Sequence, residues 1–292
     1  MTKQISKKGQ RLFALLLAVA MMFTAMPMSA IAVTTNSDGY IEVSTIEDLY
    51  NIRNDLTANY ILMNDIDLTD VTAVGGDWDF LGNGWNPIGS GDIYGSNAFS
   101  GDFDGNGYKI TGMRIDLLSL PTGVGSEVNL GLFANVTGSV HDLTLEGGYI
   151  ASSYYTSKTE YIGNIAAKSS GVITNVHNSN IINPGTSTTV DGYAYVGGLV
   201  GRNDGTISLS NNSGKIYLFR SSVDDSSYTG GIAGYTTGKI ERCYNTGEVH
   251  VKASSSSYTG YAYLGGVAGY TAGKSTQYSE IINCYNAGDL KL

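Results

Sequence analysis

The residues able to do acid–base or metal chemistry are few and scattered. Three histidines occur, His141, His177 and His250, and none lies in an HExxH pattern, the arrangement that zinc proteases need on one helix face. No Gly-x-Ser-x-Gly elbow marks a serine nucleophile. Asp102-x-Asp104-x-Asn106-Gly107 looks like the opening of a calcium loop. Such a loop needs a carboxylate at its twelfth position, and that position is Met113. A glycine-rich turn is therefore expected there, with neither a metal nor a cofactor. Hydrolysis of a glycan needs two carboxylates about 5–10 Å apart. Glu241 aligns with Ser208 and Thr174, Glu248 aligns with Lys215, and Asp224-Asp225 falls in a loop. No catalytic residue is expected.

Tyrosine is the residue in excess, at 21. Tyr161, Tyr195, Tyr228 and Tyr263 open strands, while Tyr154, Tyr155, Tyr193, Tyr258 and Tyr261 flank loops. Two readings stay open. One is a stacked aromatic ladder covering the flank of the fold. The other is a wall of rings offered to a sugar or a protein, because tyrosine joins apolar area to a hydroxyl. On the second reading the five loop tyrosines are the candidate binding residues.

The elements that position these residues come from a repeat. YVGGLVGRNDGTISLSNNSG, from Tyr195, returns as YTGGIAGYTTGKIERCYNTG from Tyr228 and as YLGGVAGYTAGK…SEIINCYNAG from Tyr263. Weaker copies begin at Tyr161 and Asn129. The marker glycines Gly131, Gly163, Gly197, Gly230 and Gly265 are 32, 34, 33 and 35 residues apart. Such a period signals a solenoid. Each copy is expected to hold three short strands, in one case Val196 to Val200, Thr206 to Leu209 and Lys215 to Phe219. The fold class expected is all-β, a right-handed parallel β-helix with a short N-terminal capping helix. Polar inserts at 151–160, 183–194, 221–227 and 252–262 read as surface loops.

Aligned on the second strand, the copies form columns. Val140, Ile173, Ile207, Ile240 and Ile281 are apolar and should point inward; Leu143, Val176, Ser210, Cys243 and Cys284 follow three residues later. Asn178, Asn212, Asn245 and Asn286 come next and should form a structural ladder of amides passing from coil to coil. Gly147, Asn180, Gly214, Gly247 and Gly288 are expected to be left-handed turn residues. The chain has two cysteines, Cys243 and Cys284. At neighbouring coils they are either free buried thiols or a disulfide.

Residues 1–32 read as a secretion signal. Lys3, Lys7, Lys8 and Arg11 precede an apolar run from Leu12 to Phe23, and Ala30-Ile31-Ala32 offers small residues for cleavage. The run is shorter than the ~20 residues of a spanning helix, so no membrane insertion of the mature chain is expected. Residues 33–39 form a flexible lead, 40–128 the N-terminal cap and first coils, and 129–292 the repeats. In the cap, Ser44 to Glu47 reads as a capping box for a helix carrying Ile46, Leu49, Ile52 and Leu56. Four of the 17 basic residues and none of the 26 acidic ones lie in residues 1–32, which leaves a net −13 after cleavage. That charge argues against nucleic acid as a partner. An open last rung after Leu292 predicts either a continuation or end-to-end self-association.

Gly198-Leu199-Val200-Gly201, Gly231-Ile232-Ala233-Gly234 and Gly266-Val267-Ala268-Gly269 resemble the GLUG repeat. FSGDFDGNGYKITGMRI, from Phe99, resembles a first coil of the same family, and Asn164-Ile165-Ala166-Ala167 departs from the pattern by losing two glycines. The family resemblance, over residues 40–292, implies a bacterial secreted or surface protein, as in non-catalytic regions of immunoglobulin A proteases and in adhesins. It implies a binding or adhesion module for a glycan or a host or extracellular protein. A β-helical polysaccharide lyase or hydrolase, and a structural spacer in a larger surface protein, are the alternatives.

Overall fold

One repeat has an apolar strip that it cannot bury alone, so burial requires another repeat laid on top of it. The computed structural model describes residues 34–89, 97–117, 125–152, 158–183, 189–190, 192–220, 226–253, 260–273 and 278–292. The chain forms two units, Met1–Thr34 and Thr35–Leu292. The expected secretion signal lies outside the described residues. Within the second unit the chain climbs as a parallel β-helix.

Among the described residues, four sheets run along the stack. The first contains Glu127–Leu130, Thr159–Gly163, Ala194–Gly197, Ser227–Gly230 and Ala262–Gly265. The second contains Phe133–Val136, Ala166–Ser169, Val200–Asn203, Ala233–Thr236 and Ala268–Thr271. The third is the longest. It starts at Ile41–Val43 and Tyr60–Leu62 and runs through Asp102–Asp104, Ser139–Glu146, Val172–Asn178, Thr206–Ser208 and Lys239–Glu241 to Glu280–Ile282. The fourth runs from Arg114–Leu117 through Tyr149–Ser152, Ile181–Ile182, Ile216–Arg220 and Val249–Ala253 to Leu290–Lys291. Pairing is parallel and in repeat register, as in Ile173↔Ile207 and Ile207↔Ile240.

The three-strand expectation needs correction. Val196 to Val200 is not one strand, because the chain turns at Gly198-Leu199 and splits it between the first and second sheets. Leu199 drops into the core there and is fully buried. The apolar column Val140, Ile173, Ile207 and Ile240 is likewise fully buried, each side chain contributing about 1.5–3 kcal/mol.

The cap also differs in detail. Helix α1, Ile46–Asn51, is capped by Thr45, not Ser44. Thr45 Oγ1 accepts from the Asp48 amide at 3.1 Å, and Asp48 Oδ2 accepts from the Thr45 amide at 2.8 Å. Asp48 therefore takes the role expected of Glu47. A second short helix, α2, spans Thr69–Thr72. Beyond it, Trp85 is fully buried and donates Nε1–H to Leu132 O at 3.2 Å. Arg114 ties the 72–82 segment to the fourth sheet, reaching Thr72 O at 3.1 Å, Asp79 at 3.2 Å and Gly82 O at 3.2 Å.

The glycine column behaves differently from the expectation. Gly147 has φ +71° and is left-handed, but Asn180, Gly214, Gly247 and Gly288 are not among the left-handed residues. Their constraint is space. A Cβ on Gly214, Gly247 or Gly288 would sit well inside 3 Å of the carbonyl oxygen of the preceding coil. The left-handed corner lies two residues after the buried apolar column, at Asp142, Asn175, Leu209, Arg242 and Asn283, with φ between 51° and 54°. Asp and Asn tolerate that region, whereas Leu and Arg do so at a cost.

Both cysteines are free thiols; Cys243 is buried and Cys284 half-buried. Cys243 Sγ donates to Glu241 O at 3.3 Å and Cys284 Sγ to Ile282 O at 3.2 Å. Burial pushes the Cys243 thiol up to about 12.

Candidate functional site

Tyrosines opening the first-sheet strands share one register, Tyr161↔Tyr195↔Tyr228↔Tyr263. Strand spacing of about 4.7–4.9 Å is close to aromatic stacking distance. The rings accordingly stack at centroid separations of 4.9, 4.8 and 5.0 Å, tilted by 11°, 11° and 2°.

A second column stands beside it. Lys168, Arg202, Tyr235 and Tyr270 pair in register on the second sheet. Tyr235 and Tyr270 stack at 5.5 Å. Across the corner the two columns meet edge to face, Tyr195 on Tyr235 at 5.7 Å and Tyr263 on Tyr270 at 5.2 Å. Lys168 lies 5.0 Å from the Tyr161 ring and pairs with Glu127 at 2.7 Å. Arg202 lies 5.4 Å from Tyr235 and pairs with Asp204 at 2.9 Å. The surface thus grades from ion pairs over the earlier coils to bare rings over the later ones. Tyr161 is almost fully buried, while Tyr270 is exposed. Burial raises the pKa of Tyr161, Tyr195 and Tyr228, against the opposing pull of Arg202 on the first two, so these phenols remain hydrogen-bond donors.

The second column was missed in the sequence, although its signal is simple. Its members are the residues immediately after Ala167, Gly201, Gly234 and Gly269. Of the loop tyrosines, Tyr193 and Tyr261 are exposed, and Tyr261 lies 6.2 Å from Tyr263. Tyr154, Tyr155 and Tyr258 lie outside the described residues.

Asn178, Asn212, Asn245 and Asn286 stand one above another in the interior. Asn178 Nδ2 donates to Asn212 Oδ1 at 2.7 Å; Asn212 to Asn245 and Asn245 to Asn286 follow at 2.8 Å each. Each amide also closes its own turn, as Asn212 does on Gly214 O at 2.8 Å. Asn178, Asn212 and Asn245 are fully buried, out of reach of a ligand. The ladder explains one glycine of each repeat. A Cβ on Gly198, Gly231 or Gly266 would run into Asn212, Asn245 or Asn286 respectively. Another glycine, at 201, 234 and 269, lets the second sheet close on the first: a Cβ there would meet first-sheet backbone such as Ile162 N or Val196 N.

The model of the GLUG motif matches residues 225–249. The chain carries the GLUG motif. Its two glycines are therefore clearances, one for the amide ladder and one for the adjoining sheet. Asn164 replaces the first of them in an earlier coil and donates to Gly198 O at 3.1 Å.

Relatives of the GLUG-bearing chain include a protein of Evansella cellulosilytica described as a candidate Gly-rich membrane protein. It is 32% identical over 212 residues, covering 62% of this chain and 21% of that protein. Halomucin of Haloquadratum walsbyi is 31% identical over 172 residues, covering 56% of this chain and 2% of Halomucin. The match thus spans about a fifth of the first relative and far less of the second. A crystal structure from Bacteroides ovatus, described as a candidate immunoglobulin A1 protease, has TM-score 0.52 over 86% of this chain and 76% of that one. At 16% identity that likeness concerns the fold alone. Among the described residues, no helix is long and apolar enough to cross a membrane.

Proposed function

We propose that this chain is a non-catalytic, cell-surface β-helix module that binds a glycan along its paired tyrosine columns. The single observation that carries the reading is the corner where Tyr228 and Tyr263 meet Tyr235 and Tyr270. Rings repeating once per coil, stacked face to face, present a strip of apolar ring edges with phenol hydroxyls beside them, a surface that suits the C–H groups and hydroxyls of a sugar chain. The names of the relatives, a Gly-rich membrane protein and Halomucin, favour a surface location.

The test is retention on immobilised polysaccharides. Wild-type protein should bind at least one of them, and Tyr228→Ala or Tyr270→Ala should weaken that binding. Tyr285→Ala should leave it unchanged, because Tyr285 belongs to a separate stacked pair with Tyr244. Retention of nothing, or equal loss in all three variants, would sink the proposal. Release of shortened or unsaturated sugar products would instead favour an enzyme.

A further inference from the structure

Two rungs of the third sheet bring together side chains far apart in the chain. Asp102 pairs with Ser139 and Asp104 with His141 in register. His141 Nδ1 lies 2.7 Å from Asp142 Oδ2 and 3.5 Å from Asp104 Oδ1. One ligand atom from each of the three residues lies within 4.8 Å of the others. Donors bound to a single zinc ion at about 2.0–2.2 Å stand roughly 3–3.5 Å apart, so this cluster needs little adjustment to close on a cation.

The opposite edge of the imidazole is also arranged for ligation. His141 Nε2 lies 3.2 Å from Asp102 Oδ2, and Asp102 is held in turn by the hydroxyls of Tyr40 and Ser139. A carboxylate accepting Nε2–H fixes the ring and turns Nδ1 towards Asp104 and Asp142, as carboxylate–histidine–metal arrangements do, and an ion entering there takes the place of the proton between Nδ1 and Asp142 Oδ2. The Asn175 amide orients Asp142 similarly. Three carboxylates surround one imidazole, and among the described residues no lysine or arginine pairs with any of the three. Negative charge is therefore in excess at this point of the surface, independently of the ligand spacing.

We propose that His141, Asp104 and Asp142 bind a divalent first-row transition ion, with zinc the best match, and that Asp102 is the positioning residue. An imidazole ligand favours zinc over calcium or magnesium. The three ligands are half-exposed, which leaves room for solvent on the ion. The ion would clip the rung at 102–104 to the rung at 139–142. Met113 is fully buried and outside this set, so the site is unrelated to a calcium loop.

Isothermal titration of chelator-stripped full chain with Zn2+ alone, Ca2+ alone and Co2+ alone tests the assignment. One Zn2+ per chain is expected, with weak or no Ca2+ binding and a visible Co2+ spectrum marking nitrogen ligation. Affinity should fall at least tenfold in His141→Gln and Asp104→Asn, and about 10–100-fold in Asp102→Asn. His177→Gln and His250→Gln should bind as wild type. Circular dichroism identifies any unfolded variant, and Asp104→Asn then stands in for His141→Gln. No stoichiometric Zn2+ binding, or loss in the His177 or His250 variants in place of the His141 variant, would overturn the proposal.

Discussion

Asn212 Nδ2 donates to Asn245 Oδ1 at 2.8 Å across 33 residues of sequence, with both amides fully buried. The bond joins two coils directly, side chain to side chain. It also depends on Gly231 of the upper coil, whose missing Cβ leaves space for Asn245. The GLUG glycines and the asparagine column are thus one device seen from two sides.

Gly231→Ala should destabilise the protein, although Gly231 is not among the left-handed residues. The added methyl would meet Asn245 and Gly266 O well inside 3 Å, an overpacking of the kind that costs about 1–3 kcal/mol. Gly75→Ala is the contrast: it has φ +80° but nothing within 4 Å, so its cost should be about 1 kcal/mol of backbone strain. Urea unfolding of the two variants measures the difference. Gly231→Ala at or below the cost of Gly75→Ala would count against the clearance argument.

The left-handed corner suggests a stabilising change. Leu209 and Arg242 occupy, at φ 51° and 52°, a position held by Asn175 and Asn283 in other coils. Leu209→Asn and Arg242→Asn should each stabilise by about 0.5–1 kcal/mol, because Asn visits this region readily. A higher urea midpoint with an unchanged slope is the expected result; an unchanged or lower midpoint is the contrary one.

The sequence exposed some of these features and hid others for physical reasons. Period and inward columns were plain because every coil repeats its apolar residue at Val140, Ile173, Ile207 and Ile240. The corner was hidden because Leu209 and Arg242 are not residues that announce a left-handed backbone. Gly214 and Gly247 were misread because a glycine kept for clearance looks identical in sequence to one kept for its φ. The cap moved by one residue because Thr45 with Asp48 and Ser44 with Glu47 satisfy the same pattern. The second column was overlooked because Lys168 and Arg202 stand in it where later coils have Tyr235 and Tyr270, and the His141 cluster was hidden because the pairing of Asp102–Asp104 with Ser139–His141 joins a coil that lacks the repeat's pattern.

Cys243 carries a pH signature. Burial raises its thiol from 9.0 in the unfolded chain to about 12 in the folded one. As pH rises from 9 towards 12 the unfolded state loses this proton first, so the folded state binds more protons and stability falls. Below pH 9 the group has no effect. Cys243→Ala should therefore lose less stability than wild type over that range, measured by urea unfolding at stepped pH. Parallel declines in the two proteins would contradict this assignment.

The most direct measurement is a double-mutant cycle on Asn212→Ala and Asn245→Ala. Each single change leaves buried amide or turn groups without partners, at about 1–3 kcal/mol per group. If the coils are held in register by this side-chain ladder, the two effects will be coupled by at least about 0.5 kcal/mol. Costs that simply add, within about 0.3 kcal/mol, would mean that the stacked amides do not join the coils.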